Sequence, residues 1–220
     1  MPMTSCCSTF GETAEQHFNR KLVAEELARY RRKGPGPTTR LLRDGLVDAD
    51  VLDGLMLDVG SGVGAMTFEG LDRGVKTVIA VDASEAYLAA AGDEAARRER
   101  TRTIEFVHGD FVEVGGRLPL AAVVVLDRVV CCYPSYEPLL EEAARHADRC
   151  LAFSYPRDLW YVRVAVGGEN ARRWFARNAF RTFVHSAAAM ADTIRGAGFK
   201  LASRRQTWTW SVDVYLRATR

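Results

Sequence analysis

Leu55-Met56-Leu57-Asp58-Val59-Gly60-Ser61-Gly62-Val63-Gly64 decides the fold. Its first half is short and apolar apart from Asp58, as a buried strand is, and its second half sets a glycine at every other position. Glycine lets a backbone turn sharply and lets a ligand come closer than any Cβ would permit. The stretch reads as a strand running into a tight turn that opens a helix over 65–73. Thr77 to Val81 is the next short apolar run, so strand, helix and strand make a βαβ unit.

The alternation continues outward from there. Ser84 is placed to cap a helix predicted through Arg100, Ile104 to His108 is a third strand, and Ala121 to Leu126 is a continuously apolar, central fourth. A helix over 137–149, a fifth strand from Cys150 to Phe153 and a late helix from Ser186 to Arg195 follow. Near the end, Thr207-Trp208-Thr209-Trp210 and Val212-Asp213-Val214-Tyr215-Leu216 alternate in polarity with too little chain between them for a crossover helix. Two such strands pair antiparallel or belong to one bent ribbon. The predicted fold is α/β, a mostly parallel, doubly wound seven-stranded sheet with an antiparallel terminal strand.

Upstream, helix formers over 12–32 predict a first helix, which Gly34-Pro35-Gly36-Pro37 breaks. Thr38 or Thr39 is placed to cap a second helix through Val47. This divides the chain into residues 1–48, an arm and helices forming a candidate lid, and residues 49–220, a ligand-binding domain. A cap inserted at about 157–185 interleaves Trp160, Trp174, Phe175 and Phe180 with arginines such as Arg163, Arg172 and Arg173. That composition suits a flat apolar acceptor bearing carboxylates or phosphates, a membrane surface or stacked RNA, and equally an amphipathic helix whose aromatics pack on the sheet while its arginines are solvated.

With 220 residues, 48% of them hydrophobic and 26% charged, one globular domain is expected and a disordered chain is excluded. A formal net charge of +2 gives no clear signal for nucleic acid. The five cysteines include the vicinal pairs Cys6-Cys7 and Cys131-Cys132, unlike a secreted disulfide framework, and the expected compartment is the cytoplasm. No transmembrane stretch is apparent. Cys6, Cys7, Cys131 and Cys132 together would suit a soft metal or metalloid, although the usual C-x-x-C spacing is absent, and the plainer reading is of small buried apolar side chains.

An acid follows or closes each strand tip. Asp58 precedes the glycines, Asp82 ends the second strand and Asp110 follows the third. An acid at the second tip can accept both hydroxyls of a ribose. Each has a plainer role, in a cap or a turn, but three successive tips converge on the ligand crevice of an open α/β sheet.

LDVGSGVG resembles motif I of Rossmann-like S-adenosylmethionine-dependent methyltransferases, VIAVDAS resembles their ribose-binding strand, and FVHGDF resembles the loop that holds adenine. With TTRLL, VVLDRVVCCYP and FSYPRD, the chain is similar to a bacterial group of these enzymes, and more distantly to magnesium-protoporphyrin O-methyltransferases. The resemblance implies that Asp58, Gly60, Ser61, Gly62 and Gly64 face the methionine part of S-adenosylmethionine. Asp82 with Ala83 would bind the ribose, Asp110 and Phe111 the adenine, and Asp127, Arg128 and Val129 would line the sulfonium end. Tyr30, on the first helix, would close over the cofactor. The other substrate would be a small-molecule methyl acceptor, aromatic or anionic.

Methyl transfer is an in-line displacement in which a general base is optional. Tyr133, past the fourth strand, and His108, at the end of the third, are the candidates for one. Gly60, Gly62 and Ala65 also satisfy G-x-G-x-x-A, so an NAD(P)-binding oxidoreductase is the alternative, beside a catalytically silent interaction protein. The cofactor's cationic sulfur and ammonium favour an acid ahead of the glycines, which a pyrophosphate does not.

Overall fold

The computed structural model describes Thr13 and residues 17–218, and the structural statements below concern these. The apolar runs become β1 (Leu55–Val59), β2 (Thr77–Asp82), β3 (Ile104–His108), β4 (Ala121–Leu126) and β5 (Ala147–Pro156), followed by β6 (Phe199–Gln206) and β7 (Trp210–Arg217). They form one sheet in the order β3-β2-β1-β4-β5-β7-β6. β1 to β5 are mutually parallel, and β7 runs antiparallel to both β5 and β6. The reversed strand is therefore last in the chain but second from the edge of the sheet.

The helices are α1 (Arg20–Lys33), α2 (Pro37–Asp48), α3 (Ala65–Leu71), α4 (Glu85–Arg97), the single turn α5 (Phe111–Val114), α6 (Glu137–His146), α7 (Trp160–Phe175) and α8 (Ala187–Gly196). Alternate strand residues supply two cores. Leu57, Val59, Val124, Leu126 and Phe153 meet α6 and α8 on one face, while Met56, Val78, Val123 and Ala152 meet α1 to α4 on the other. Leu42 and Leu46 of α2 and Val23 and Leu27 of α1 belong to that second core. Truncating a fully buried leucine there would cost about 2–5 kcal/mol.

Three expectations are corrected. Thr38 and Thr39 do not cap α2, because Gly36 is the N-cap and Pro37 holds the first turn, where its missing N–H costs nothing. Thr207 to Thr209 is a turn rather than a strand: the Thr207 hydroxyl accepts from the backbone N–H of Thr209 and of Trp210, which bends the chain into the β6–β7 hairpin. β5 has ten residues where four are expected, because Ala147 pairs with Ala121 of β4 at its start and Ser154 to Pro156 pair with β7 at its end. Elsewhere the sequence boundaries move by a few residues. The positive φ of Glu99 (58°) closes the turn after α4 ahead of the predicted end at Arg100.

Register positions the site. Val59 pairs with Val81 and with Leu126, so Gly60, Asp82 and Asp127 each lie one residue beyond a common row. Strand order reverses between β1 and β4, where the connections diverge to opposite sides and a crevice opens beyond the carboxyl ends.

Candidate active site

The glycine turn is held from below and from the side. Val81 O accepts from Gly60 N at 2.8 Å and from Ser61 N at 3.1 Å, which fastens the turn to the end of β2. Gly60 and Gly62 have φ of 65° and 55°, a region costly for any residue with a Cβ. A Cβ on Gly60 would strike Val129, whereas one on Gly62 would meet no protein atom closer than 3.9 Å. Gly62 thus turns an open backbone face to the crevice. Gly64 is the left-handed N-cap of α3 and packs against Phe68, outside the crevice wall.

Asp82 ties two elements together. Its Oδ2 accepts from Gly62 N at 2.8 Å and its Oδ1 from Ser84 N at 2.9 Å, so β2, the glycine turn and the start of α4 share one carboxylate. The cap of α4 is Ser84 itself. Asp58 is 1% exposed, and its Oδ2 accepts from the Thr67 hydroxyl at 2.6 Å. Burial, reinforced by the negative charges of Asp127 and Asp82, pushes the Asp58 carboxyl up to about 7.

Asp127, after β4, is fixed by two hydroxyls: Thr39 donates to Oδ2 at 2.6 Å and Ser154 to Oδ1 at 2.7 Å. Ser154 Oγ also accepts from Arg128 N at 2.7 Å. Arg128 sits at φ 63° and reaches Glu26 of α1 at 3.0 Å, and Tyr87 of α4 donates to the other oxygen of Glu26 at 2.5 Å. Glu26 therefore ties the first helix to both walls. Tyr30 lines the crevice one turn further on, its hydroxyl accepting from Arg98 at 3.1 Å.

Together these residues surround a crevice of about 950 Å³. Tyr30, Asp58, Gly60, Ser61, Gly62, Asp82, Ala83, Phe111, Asp127, Arg128, Val129, Cys131, Cys132 and Tyr133 all line it. Asp110 lies just behind the wall as the N-cap of α5; its Oδ1 accepts from the Tyr133 hydroxyl at 2.6 Å, while Oδ2 is buried without a partner, as is Ser61 Oγ. Tyr133 thus has its hydroxyl proton directed at Asp110. His108 lies outside the crevice, half-exposed, with Nε2 3.2 Å from Ala83 O.

Cys131 and Cys132 follow one another on a short turn, and both thiols contact Arg128 O. Cys6 and Cys7 lie outside the described residues. Among the described residues, no group of three or more His, Cys, Asp or Glu side chains is arranged to hold a metal ion. Also among them, no helix is long and apolar enough to cross a membrane.

Glu26, Tyr87 and Ser154 carry no signal in the sequence, and Thr39 none for this role, because all four act through partners far away in the chain. His17 and Phe18 form an aromatic stack with Phe180 of the cap, His17 and Phe180 centroids being 4.4 Å apart. Arg173 of α7 lies over Phe180 at 5.3 Å, and Trp208 and Trp210 of the β6–β7 hairpin complete the far end.

Residues 56–152 match a family model described as a methyltransferase domain. Among curated proteins, none matches the sequence at a significant level. Among solved structures, magnesium protoporphyrin IX methyltransferase from Synechocystis with bound SAH superposes with a TM-score of 0.72 at 20% identity, covering 93% of this chain and 98% of that one. The same enzyme with bound SAM gives 0.71 at 18% identity, over 99% and 100%. An O-methyltransferase family protein from Burkholderia thailandensis gives 0.73 at 14% identity, over 94% of this chain and 62% of that one. Residues 56–152 are therefore similar to a methyltransferase domain, and the chain shares its fold with methyltransferases solved with bound SAH and SAM.

Proposed function

We propose that this crevice transfers a methyl group from S-adenosylmethionine to a small or medium-sized acceptor that is flat and anionic. The observation that carries the donor half is the carboxylate Asp58, buried beside Asp127 and Asp82, hydrogen-bonded by the Thr67 hydroxyl and backbone and, among the described residues, ion-paired to no cation. Such a group is an unbalanced negative site, and a ligand that brings positive charge relieves it. A dinucleotide would bring phosphates to the same turn and worsen it, which argues against the oxidoreductase alternative.

The remaining residues fit the donor in parts. Asp82 presents its carboxylate edge to ribose hydroxyls, and Phe111 with the unpartnered Oδ2 of Asp110 suits a ring bearing an amino group. Asp58 and the open backbone face of Gly62 suit the amino-acid portion. When bound, the cofactor supplies an electrophilic methyl on a positive sulfur. The chain's part is to hold that methyl and an acceptor atom in line and to exclude water, which accounts for much of the acceleration in such displacements. Thr39 and Ser154 keep Asp127 and the following turn rigid, and Glu26 draws α1 over the opening.

The acceptor end is walled by Cys131, Cys132, Phe180, Trp208 and Trp210, with Arg173 over the Phe180 ring. Aromatic faces suit a flat molecule and a half-buried guanidinium suits its carboxylate. Neither Tyr133 nor His108 is placed as a general base, so an acceptor already nucleophilic at neutral pH is the better fit. The compartment we infer is the cytoplasm. Screening metabolite fractions with methyl-labelled donor tests the assignment: label should enter a small aromatic or anionic molecule, and label found only in protein or nucleic acid would overturn it.

A further inference from the structure

Helix α7 faces outward with its apolar side. At 100° per residue, Trp160, Val164, Ala171, Trp174 and Phe175, with Gly167-Gly168 between them, fall within an arc of roughly 120° along some 22 Å of helix. All of them are exposed: Trp160 is 78%, Val164 67%, Trp174 64% and Phe175 78% accessible. Trp208, at 86% the most exposed of the large apolar side chains, is beside the start of this helix, where Tyr161 donates to Trp208 O at 2.8 Å. Soluble chains rarely leave so continuous an apolar stripe open to water.

The charge around the stripe indicates what covers it. Residues 157–181 hold six arginines against Asp158 and Glu169, a net of +4 in a chain whose total is +2. Arg163 and Arg172 flank the stripe on its two sides, 58% and 71% exposed, and Arg177 follows it, also exposed. A second copy docking by this face in a two-fold arrangement would set the same arginines against one another. Indole rings backed by arginines match the interface of an anionic bilayer, where the rings sit at headgroup depth and the guanidiniums meet lipid phosphate.

We infer that α7 and the tip of the β6–β7 hairpin dock this protein on anionic membrane surfaces. The inference stands independently of methyl transfer. It has one consequence for it, because Trp208 both belongs to the docking face and lines the acceptor end, so the crevice opens toward the lipid interface.

The test is co-sedimentation of the full chain with vesicles of phosphatidylcholine alone and of phosphatidylcholine with 30% phosphatidylglycerol. Binding is expected to the anionic vesicles only, to weaken with added salt, and to be accompanied by a blue shift of tryptophan emission. The surface triple variant Trp160→Ser, Trp174→Ser, Phe175→Ser, whose fold is checked by circular dichroism, should lose at least tenfold in partitioning. Arg172→Glu with Arg177→Glu should lose a comparable amount. Absence of binding to the anionic vesicles at low salt, or partitioning unchanged in both variants, would overturn the inference. So would light scattering that shows a dimer dissociated by the triple variant, since a second copy would then cover the stripe.

Discussion

Replacing Asp58 with asparagine should stabilise the empty protein while weakening its hold on the cofactor. The asparagine oxygen can still accept from the Thr67 hydroxyl, so what is removed is the charge. Asp58 titrates near 7 in the folded chain against an ordinary 3.8, because burial and the charges of Asp127 and Asp82 oppose its ionisation. Between those two pH values the folded chain holds a proton that the unfolded chain has released, so stability falls as pH rises from about 4 and levels off above about 7. Three pH units at 1.36 kcal/mol each set an upper bound of about 4 kcal/mol on the stability lost by pH 8. Urea denaturation should therefore find Asp58→Asn more stable than the natural chain by about 1–4 kcal/mol at pH 8, with most of that gain gone at pH 5, where Asp58 is already protonated. Binding of S-adenosylhomocysteine at pH 8 should weaken by about 1–3 kcal/mol, the usual effect of deleting a charged hydrogen-bond partner. A variant less stable at pH 8, or equally stabilised at both pH values, would refute the reasoning.

Asp82→Ala removes the carboxylate that joins Gly62 to Ser84 and should weaken S-adenosylhomocysteine binding by about 1–3 kcal/mol in calorimetry; unchanged affinity would take Asp82 out of the site. Glu26→Gln weakens the ties to Tyr87 and Arg128, so the affinity should drop while the melting temperature stays near that of the natural chain, and equal affinity would mean that α1 does not close the crevice. Two glycines should separate folding from binding. Gly60→Ala collides with Val129 and should fail to fold stably, whereas Gly62→Ala should fold with a backbone penalty of about 1–2 kcal/mol and lose ligand, because its methyl enters ligand space; a Gly62→Ala chain that binds normally would contradict this placement.

The parallel sheet could be read from the chain because each strand is locally apolar and each tip is punctuated by glycine or an acid. Gly60, Asp82 and Asp127 meet through register, and three short runs each ending in a polar residue suffice to indicate that convergence. The closure of the site could not be read in this way. Glu26 is an ordinary helix-surface glutamate until Tyr87, 61 positions away, and Arg128, 102 away, are folded against it. Threonine beside a glycine-proline break suits a helix cap, yet Pro37 needs no partner at that end and the Thr39 hydroxyl goes to Asp127. Trp208 and Trp210 alternate as residues of a strand do, and only the hydroxyl of Thr207 shows that Trp208 lies in a turn and Trp210 opens β7. Proximity to the end of β4 is all that marks Tyr133 in the sequence, and only the fold shows its hydroxyl donating to Asp110.

Calorimetric titration of the purified chain with S-adenosylhomocysteine, beside NADH and NADPH, bears most directly on the donor assignment. A saturable one-site isotherm with the sulfur nucleoside, and none with either dinucleotide, is the predicted result. A folded protein that gives no heat with S-adenosylhomocysteine, or that binds a dinucleotide as well, would contradict it.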